Sequence, residues 1–356
     1  MTLYGKNIAV FGMGTSGVSA FKLAAYLKSN VYAVSKGDVS DWNCLSQLSE
    51  LAPVHNLYDQ EDDGVSELFA TMDLIVLSPG IAREHKLLEK ALSNNVEVIC
   101  EIELAYRIIK DDKTPIAAIT GTNGKTTTVS LLGEIFSKAG HSTFVGGNIG
   151  VAFCDYALQR LQSNKTCDVI VLELSSFQLE SLVEFKSDVA AILNIFPNHG
   201  ERYEEVEDYA LAKWNIIDKM SSEDSLIVSS QALNSAHKKF ENQLIINESE
   251  LDFFNVDISN YKLIGQHNKI NLSFAIIMAR KVEEKFSLKL NNLVETISNF
   301  SGVSHRLQYL ESEDDFTIYN DAKSTNWDAT ITALMSFDDV LKKKDVHLIL
   351  GGKKRG

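Results

Sequence analysis

The stretch Thr120-Gly121-Thr122-Asn123-Gly124-Lys125-Thr126-Thr127 decides the fold. It follows the apolar run Ile116–Ile119 and opens a helical pattern from Lys125 to Ala139, which Gly140 stops. A strand that turns through glycines into a helix builds an anion cradle. The glycines let successive backbone N–H groups curl inward, and the helix N-terminus adds its positive end. Lys125 adds a point charge, and the Thr126 hydroxyl suits Mg²⁺. The common phosphate loop has four residues between its glycines. Here only Thr122 and Asn123 intervene, so this is a shorter variant. The plainer reading, a glycine-rich turn without a ligand, leaves the Lys-Thr-Thr tail unexplained.

Short β-branched runs alternate with helical patterns on both sides of this loop. That alternation predicts α/β layers with parallel sheets. Strands are expected at Asn7–Phe11, Val31–Val34, Leu74–Leu77, Val96–Ile99, Ile116–Thr120, Val169–Leu174, Val189–Asn194 and Val346–Leu350. The charged, Pro-containing stretch Asp111-Asp112-Lys113-Thr114-Pro115 marks one boundary, and Phe300-Ser301-Gly302 marks another. The expected domains are 1–112, 113–301 and 302–356.

The chain has 356 residues, enough for two or three domains, and a formal net charge of −14. That balance disfavours nucleic acid as a partner. The basic runs Lys342-Lys343-Lys344 and Lys353-Lys354-Arg355 are the only dense ones; the first reads as solvated loop charge. No apolar run approaches the roughly 18–20 residues of a membrane span. The N-terminus lacks the basic-then-apolar layout of a signal peptide. Cys44, Cys100, Cys154 and Cys167 are scattered, without metal-ligand spacing, and read as reduced thiols of a cytoplasmic protein.

Further candidates follow the loop. Glu173 ends a strand, where ligands bind in open α/β sheets, and a hard carboxylate there can hold Mg²⁺. The alternative is a solvated strand-end acid. A second strand ends at Asn194 and runs into Ile195-Phe196-Pro197-Asn198-His199-Gly200-Glu201-Arg202. His199, read alone, is a structural or solvated loop histidine. Lys213, read alone, is an ordinary helix lysine.

Taken in order, these segments resemble the Mur ligase family, whose ATP loop is shared with folylpolyglutamate synthases. The resemblance rests on Gly121–Thr127, Glu173-Leu174-Ser175-Ser176-Phe177-Gln178-Leu179, Asn194 with His199, and Gly265-Gln266-His267-Asn268. It continues through Ser304-His305-Arg306 and Asn320-Asp321-Ala322-Lys323-Ser324-Thr325-Asn326. It implies a Rossmann-like N-terminal domain, a central P-loop ATPase-like domain with a parallel sheet, and the start of a third Rossmann-like α/β domain. It implies ATP contacts from Gly121, Thr122, Asn123, Gly124, Lys125, Thr126, Thr127, Asn268, Asn271, Arg306, Asp321 and Lys323. It implies two Mg²⁺ ions held by Thr126, Glu173, His199 and Lys213, with Lys213 converted by CO₂ to a carbamate. Lys125, His199, Lys213 and Lys323 are then the catalytic set. Asn198 and Glu201 depart from the acids the family often carries there.

Phe11-Gly12-Met13-Gly14-Thr15-Ser16-Gly17 is a complete Gly-x-Gly-x-x-Gly and, read alone, a dinucleotide site. That reading needs an acid at the end of the second strand. Ser35-Lys36-Gly37-Asp38 stands there, so the acid is missing or displaced. The loop still suits a diphosphate such as that of a UDP-sugar. The family resemblance assigns the UDP-substrate to Gly14, Thr15, Ser16, Ser78, Pro79, Gly80, Asn148 and Ser175. The runs Ser78-Pro79-Gly80-Ile81 and Gly146-Gly147-Asn148-Ile149-Gly150 favour the D-glutamate-adding branch. Ser35 stands where the family often has an acid, which predicts altered uracil recognition.

The implied reaction activates the carboxylate of UDP-N-acetylmuramoyl-L-alanine as an acyl phosphate, which the amine of D-glutamate attacks. A monomer in the cytoplasm is expected, without nucleic acid or membrane. Roughly 50 residues follow Gly302, against on the order of 100 for a complete α/β domain. The expectation is therefore an incomplete third domain and poor or no ligase turnover. Competing readings are a non-catalytic nucleotide or UDP-muramoyl binder, a nicotinamide oxidoreductase built on Gly12, Gly14 and Gly17, and a sister ligase adding another amino acid.

Overall fold

Five short strands open the chain: β1 (Asn7–Phe11), β2 (Asn30–Ser35), β3 (Leu57–Asp59), β4 (Leu74–Leu77) and β5 (Glu97–Cys100). In the computed structural model, which describes residues 2–310, 317–324, 327–337 and 346–351, they form one parallel sheet of order β3-β2-β1-β4-β5. The order reverses between β1 and β4, the switch point where open sheets of this kind bind ligands. All four residues of β4 and four of the five in β1 are buried, as a parallel sheet covered on both faces requires. Phe11, Phe69, Ile75, Leu77 and Leu88 fill one side of this sheet, with the Phe11 and Phe69 rings 5.2 Å apart.

A second sheet has the order β11-β10-β9-β6-β8-β7. Its strands are β6 (Ile116–Thr120), β7 (Thr143–Gly147), β8 (Val169–Glu173), β9 (Val189–Ile192), β10 (Ser225–Ser229) and β11 (Gln243–Ile246). β9, β10 and β11 run parallel. A two-stranded antiparallel ribbon, β12 (Gln308–Leu310) and β13 (Ile318–Asn320), precedes the helix Trp327–Met335.

The chain divides into two compact units. One comprises Met1–Ala118, Phe144–Ser187 and Ala212–Ser221; the other comprises Ile119–Thr143, Asp188–Leu211 and Ser222–Gly356. In the first, the helix Phe153–Ser163 packs on the helices Thr15–Tyr26 and Glu101–Ile109. In the second, the helix Lys125–Lys138 packs on the long helix Gln266–Phe286.

The expected helix ends where the glycine demanded. Gly140 takes φ +98, its N–H donates to Ser137 O, and the His141 N–H donates to Phe136 O. That pair of bonds is a Schellman stop. One strand expectation fails. Val346–Leu350 has no regular structure, and Ile349 is 94% exposed. A strand needs a ladder partner, and it has none among the described residues. Lys342–Lys344 and Gly352–Gly356 lie outside the described residues, as do Thr325 and Asn326. All four cysteines are free, with Cys100 and Cys154 buried. Among the described residues no helix is long and apolar enough to cross a membrane.

A buried ion network ties the first unit together. Glu103 is 0% exposed, and its carboxylate accepts from the N–H groups of Val183, Glu184 and Phe185 at 3.0, 2.8 and 3.0 Å. Arg107 Nε donates to Glu103 Oε1 at 2.7 Å, and its two terminal nitrogens grip Glu97 at 2.8 and 2.6 Å. Three backbone donors and a guanidinium together offset the desolvation of one carboxylate. Glu103→Ala strands those donors, and should lower stability by about 3 kcal/mol. The urea midpoint of the variant against the parent measures it; a shift within a few tenths of a kcal/mol contradicts the assignment.

Candidate active site

The phosphate loop lies wholly in the second unit. β6 ends at Thr120, and Gly121 then takes φ +153, where an added Cβ would sit 3.0 Å from Leu193 Cβ. Gly124 takes φ +83, and a Cβ there would lie 2.3 Å from Asn271 Oδ1. Both positions therefore exclude side chains for reasons of conformation and space. The helix begins at Lys125, its N-cap Gly124 gives no side-chain cap, and the positive end of a helix dipole favours an anion. Lys125 Nζ folds over the loop and donates to Gly121 O at 2.7 Å and Thr122 O at 2.9 Å.

Asn194 braces this loop, a role its sequence position did not reveal. Its Oδ1 accepts from the Asn123 N–H at 2.8 Å, and its Nδ2 donates to Asn123 O at 3.1 Å. Its backbone carbonyl accepts from the Thr122 N–H at 2.9 Å. The Thr122 hydroxyl points inward. It donates to Phe196 O at 3.2 Å and accepts from the Phe196 N–H at 2.9 Å and the Tyr209 hydroxyl at 3.3 Å. Thr122 is thus held on every side: its N–H by Asn194, its carbonyl by Lys125, and its hydroxyl by the chain that leaves β9.

Two other second-unit candidates, Arg306 and Asn271, meet the same loop. Arg306 Nη2 donates to the Thr126 hydroxyl at 3.0 Å, and Thr126 and Thr127 are buried. Asn271 packs against Gly124, and Asn268 Nδ2 donates to Ile264 O at 2.7 Å. In the residue before Asn268, burial pushes the His267 imidazole down to about 4. Asp321 accepts from the Leu307 N–H at 3.0 Å, and burial raises its carboxyl. Lys323 is exposed, with its backbone N–H on His305 O at 3.2 Å. His199 sits in the left-handed region at φ +58, its ring 3.0 Å from Glu201 Oε1 and 6.1 Å from the Tyr209 ring. A histidine at positive φ is uncommon.

The first unit carries its own glycine loop. A Cβ on Gly17 would lie 1.8 Å from Gly12 O, so this helix start can approach the strand only without a side chain. The Ser78 hydroxyl donates to Gly12 O at 2.7 Å and is 9% exposed, which assigns it to holding the loop. Gly14, Thr15 and Ser16 form the helix entry, again without a side-chain cap. Pro79 and Gly80 follow β4 in a turn.

Glu173 closes β8 and is 3% exposed. Asn148 Nδ2 donates to Glu173 Oε1 at 3.1 Å, and the Asn148 N–H donates to Glu173 O at 2.9 Å. Gly147, at φ +98, lets this approach happen: its Cβ would lie 2.4 Å from Glu173 O. Asn148 is thereby an orienting partner of Glu173. Ser175 is the N-cap of the helix Ser176–Leu179, in a capping box with Gln178. Lys213 lies in the helix Val206–Trp214, as its reading alone expected, but is 1% exposed. Among the described residues no three His, Cys, Asp or Glu side chains gather as a metal-ligand group. The expected metal donors, Thr126, Glu173, His199 and Lys213, are of mixed type: a hydroxyl, a carboxylate, an imidazole and a lysine.

The comparisons place these features in a family. Residues 119–279 match the Mur ligase middle domain, and residues 6–100 match the Mur ligase MurD-like, N-terminal domain. The chain is 33% identical over 375 residues to the UDP-N-acetylmuramoylalanine--D-glutamate ligase of Caldanaerobacter subterraneus subsp. tengcongensis, covering 100% of this chain and 79% of that protein. It is 35% identical over 381 residues to the enzyme of that name from Koribacter versatilis, with coverage of 100% and 79%. Among solved structures, the MurF ligase from Thermotoga maritima in complex with ADP superposes with TM-score 0.54 at 14% identity, over 94% of this chain and 72% of that one. The UDP-N-acetylmuramate:L-alanyl-gamma-D-glutamyl-meso-diaminopimelate ligase from Neisseria meningitides gives TM-score 0.54 at 17% identity, over 84% and 99%. These two share the fold. The chain belongs to the Mur ligase family.

Two outcomes follow from this geometry. Gly124→Ala strains a left-handed turn and drives a methyl group into Asn271, so it should weaken ATP binding by at least about tenfold; unchanged affinity in calorimetry contradicts the cradle. The second concerns Glu101, whose buried carboxylate accepts from the Cys154 N–H at the start of the helix Phe153–Ser163, just after the Gly146–Gly150 run. Its Oε2 has no partner, and burial pushes the carboxyl up from 4.5 to about 7. The folded chain then binds more protons than the unfolded chain between those values. The Glu101 contribution is complete below about 4.5 and is lost as pH rises to about 7. Glu101→Gln should flatten that part of the stability profile, read from urea midpoints at about pH 5 and about pH 8.

Proposed function

We propose that the chain is an ATP-dependent ligase joining D-glutamate to UDP-N-acetylmuramoyl-L-alanine in peptidoglycan synthesis. The observation that carries the reading is the uncapped helix start at Lys125 behind Gly121 and Gly124, with Lys125 folded over it. Relatives that bear this activity in their names match the whole chain. The domains are taken as 1–112 for the UDP-substrate, 113–301 for ATP and 302–356 for the start of a third.

Two steps account for the constellation. The substrate carboxylate attacks the γ-phosphorus of ATP, ADP leaves, and an acyl phosphate forms. The D-glutamate amine then attacks the carbonyl carbon, loses a proton, and expels phosphate as the amide forms. Lys125 and Lys323 offset charge on the transferring phosphoryl oxygens. The Gly121–Thr127 backbone, Asn268, Asn271, Arg306 and Asp321 hold the nucleotide. Gly14, Thr15, Ser16, Ser78, Pro79, Gly80, Asn148 and Ser175 hold the UDP-substrate.

Thr126, Glu173, His199 and Lys213 would hold two Mg²⁺ ions, which neutralise phosphate charge. The burial of Lys213 supports its conversion to a carbamate. As a cationic ammonium it would repel a dication. A neutral amine that adds CO₂ and releases a proton gives anionic oxygens, the donors Mg²⁺ prefers. The enzyme is read as a cytoplasmic monomer acting on small molecules.

Calorimetric titration of the chain with UDP-N-acetylmuramoyl-L-alanine, with NAD as the comparison ligand, tests the reading. Saturable binding of the muramoyl nucleotide and none of NAD is expected. Binding of NAD alone would replace the ligase with a redox enzyme.

A further inference from the structure

Resting on the UDP-substrate reading, we propose that Asp59, at the end of β3, is the acid that recognises the nucleoside of the uridine nucleotide. The glycine loop after β1 calls for an acid at the end of the neighbouring strand, and β2 ends instead on Ser35. The sheet register shows what stands beside it. Ser35 pairs with Asp59, at the carboxyl ends of β2 and β3. Adjacent strands lie about 4.8 Å apart, so the carboxylate is displaced by one strand and remains on the ligand edge of the sheet.

Ser35 is already committed. Its hydroxyl accepts from the Met13 N–H at 3.2 Å and so ties β2 to the glycine loop. Asp59 is held facing the turn that follows Ser35. Its Oδ1 accepts from the Gly37 N–H at 3.1 Å and the Glu61 N–H at 3.2 Å. The turn is closed from its other side, where the Trp42 indole N–H donates to Gly37 O at 2.9 Å. Asp62 is occupied behind it, accepting from the Asp59 N–H at 2.9 Å. Among the described residues Asp59 Oδ2 has no hydrogen-bond partner, and the residue is partly exposed. The result is an oriented acceptor anion with one oxygen fixed and one open. Its ligand chemistry is a nucleoside donor: a ribose hydroxyl or the N3–H of uracil.

The sign of the electrostatics makes the proposal testable. A carboxylate near a diphosphate repels it. Removing the charge should tighten binding unless the carboxylate accepts a hydrogen bond from the nucleotide. The experiment is calorimetry on the full chain with UDP, 2′-deoxy-UDP and N3-methyl-UDP, for the parent, Asp59→Asn, and Asp59→Asn combined with Ser35→Asp. Asparagine keeps an acceptor for the Gly37 and Glu61 amides, and an unchanged melting temperature checks that the turn survives. The expected result is UDP binding weakened about tenfold or more in Asp59→Asn. The loss should vanish for the one analogue lacking the recognised donor, and Ser35→Asp should restore part of it. Equal or tighter UDP binding by Asp59→Asn overturns the proposal. So does an equal loss for UDP and both analogues. A parent chain that binds no uridine nucleotide overturns the UDP-substrate reading itself, and this inference with it.

Discussion

The second unit is organised by one constraint: the backbone after β6 must turn tightly where no side chain fits. A Cβ at Gly121 meets Leu193, and a Cβ at Gly124 meets Asn271. The loop is therefore packed tightly against Leu193 and Asn271. Asn194 pairs its amide with the Asn123 backbone, and Thr122 is locked by Phe196 and Tyr209. These contacts prepare the cradle before any phosphate arrives, so little reorganisation is left to the bound state. Lys125 lies on the loop's own carbonyls, a cation held where phosphate charge is expected.

The same device appears twice with different supports. After β1, a Cβ on Gly17 would meet Gly12 O and one on Gly12 would meet Ser78, and Ser78 from the end of β4 ties the loop down. After β6, asparagines do that work. In both cases the bracing residue sits at the carboxyl end of another strand, where an open parallel sheet gathers loops that are remote in sequence. Asn148 and Glu173 repeat the pattern, joined by an approach that only Gly147 permits.

Charge is kept inside the fold only where it is answered. Glu103 has three amides and Arg107, and Asp224 has Lys285 at 2.7 Å. Glu101 caps a helix start that its own N-cap residue does not serve, and it retains one oxygen without a partner. A carboxyl so placed is stable when protonated, which explains the direction of its shift. Lys213 belongs to the same economy of buried charge, and its burial is the feature that separates it from the chain's solvent-facing lysines.

The sequence by itself determined the α/β class, most of the buried strands and both glycine loops. Those features are local: apolar runs, φ-permissive residues and a helix stop at Gly140 each act within a few positions. It did not disclose β3, whose three residues are too short to stand out from a turn, nor β7, β10, β11 and the ribbon β12–β13. It also wrote Val346–Leu350 as a strand, because an apolar run predicts a strand without naming its partner. Tertiary structure decided what register and burial decide: that Asp59 stands beside Ser35, that Asn194 braces Asn123, that Asn148 orients Glu173, and that Lys213 is inside. Each of these joins or buries residues by packing between elements, which no spacing along the chain encodes.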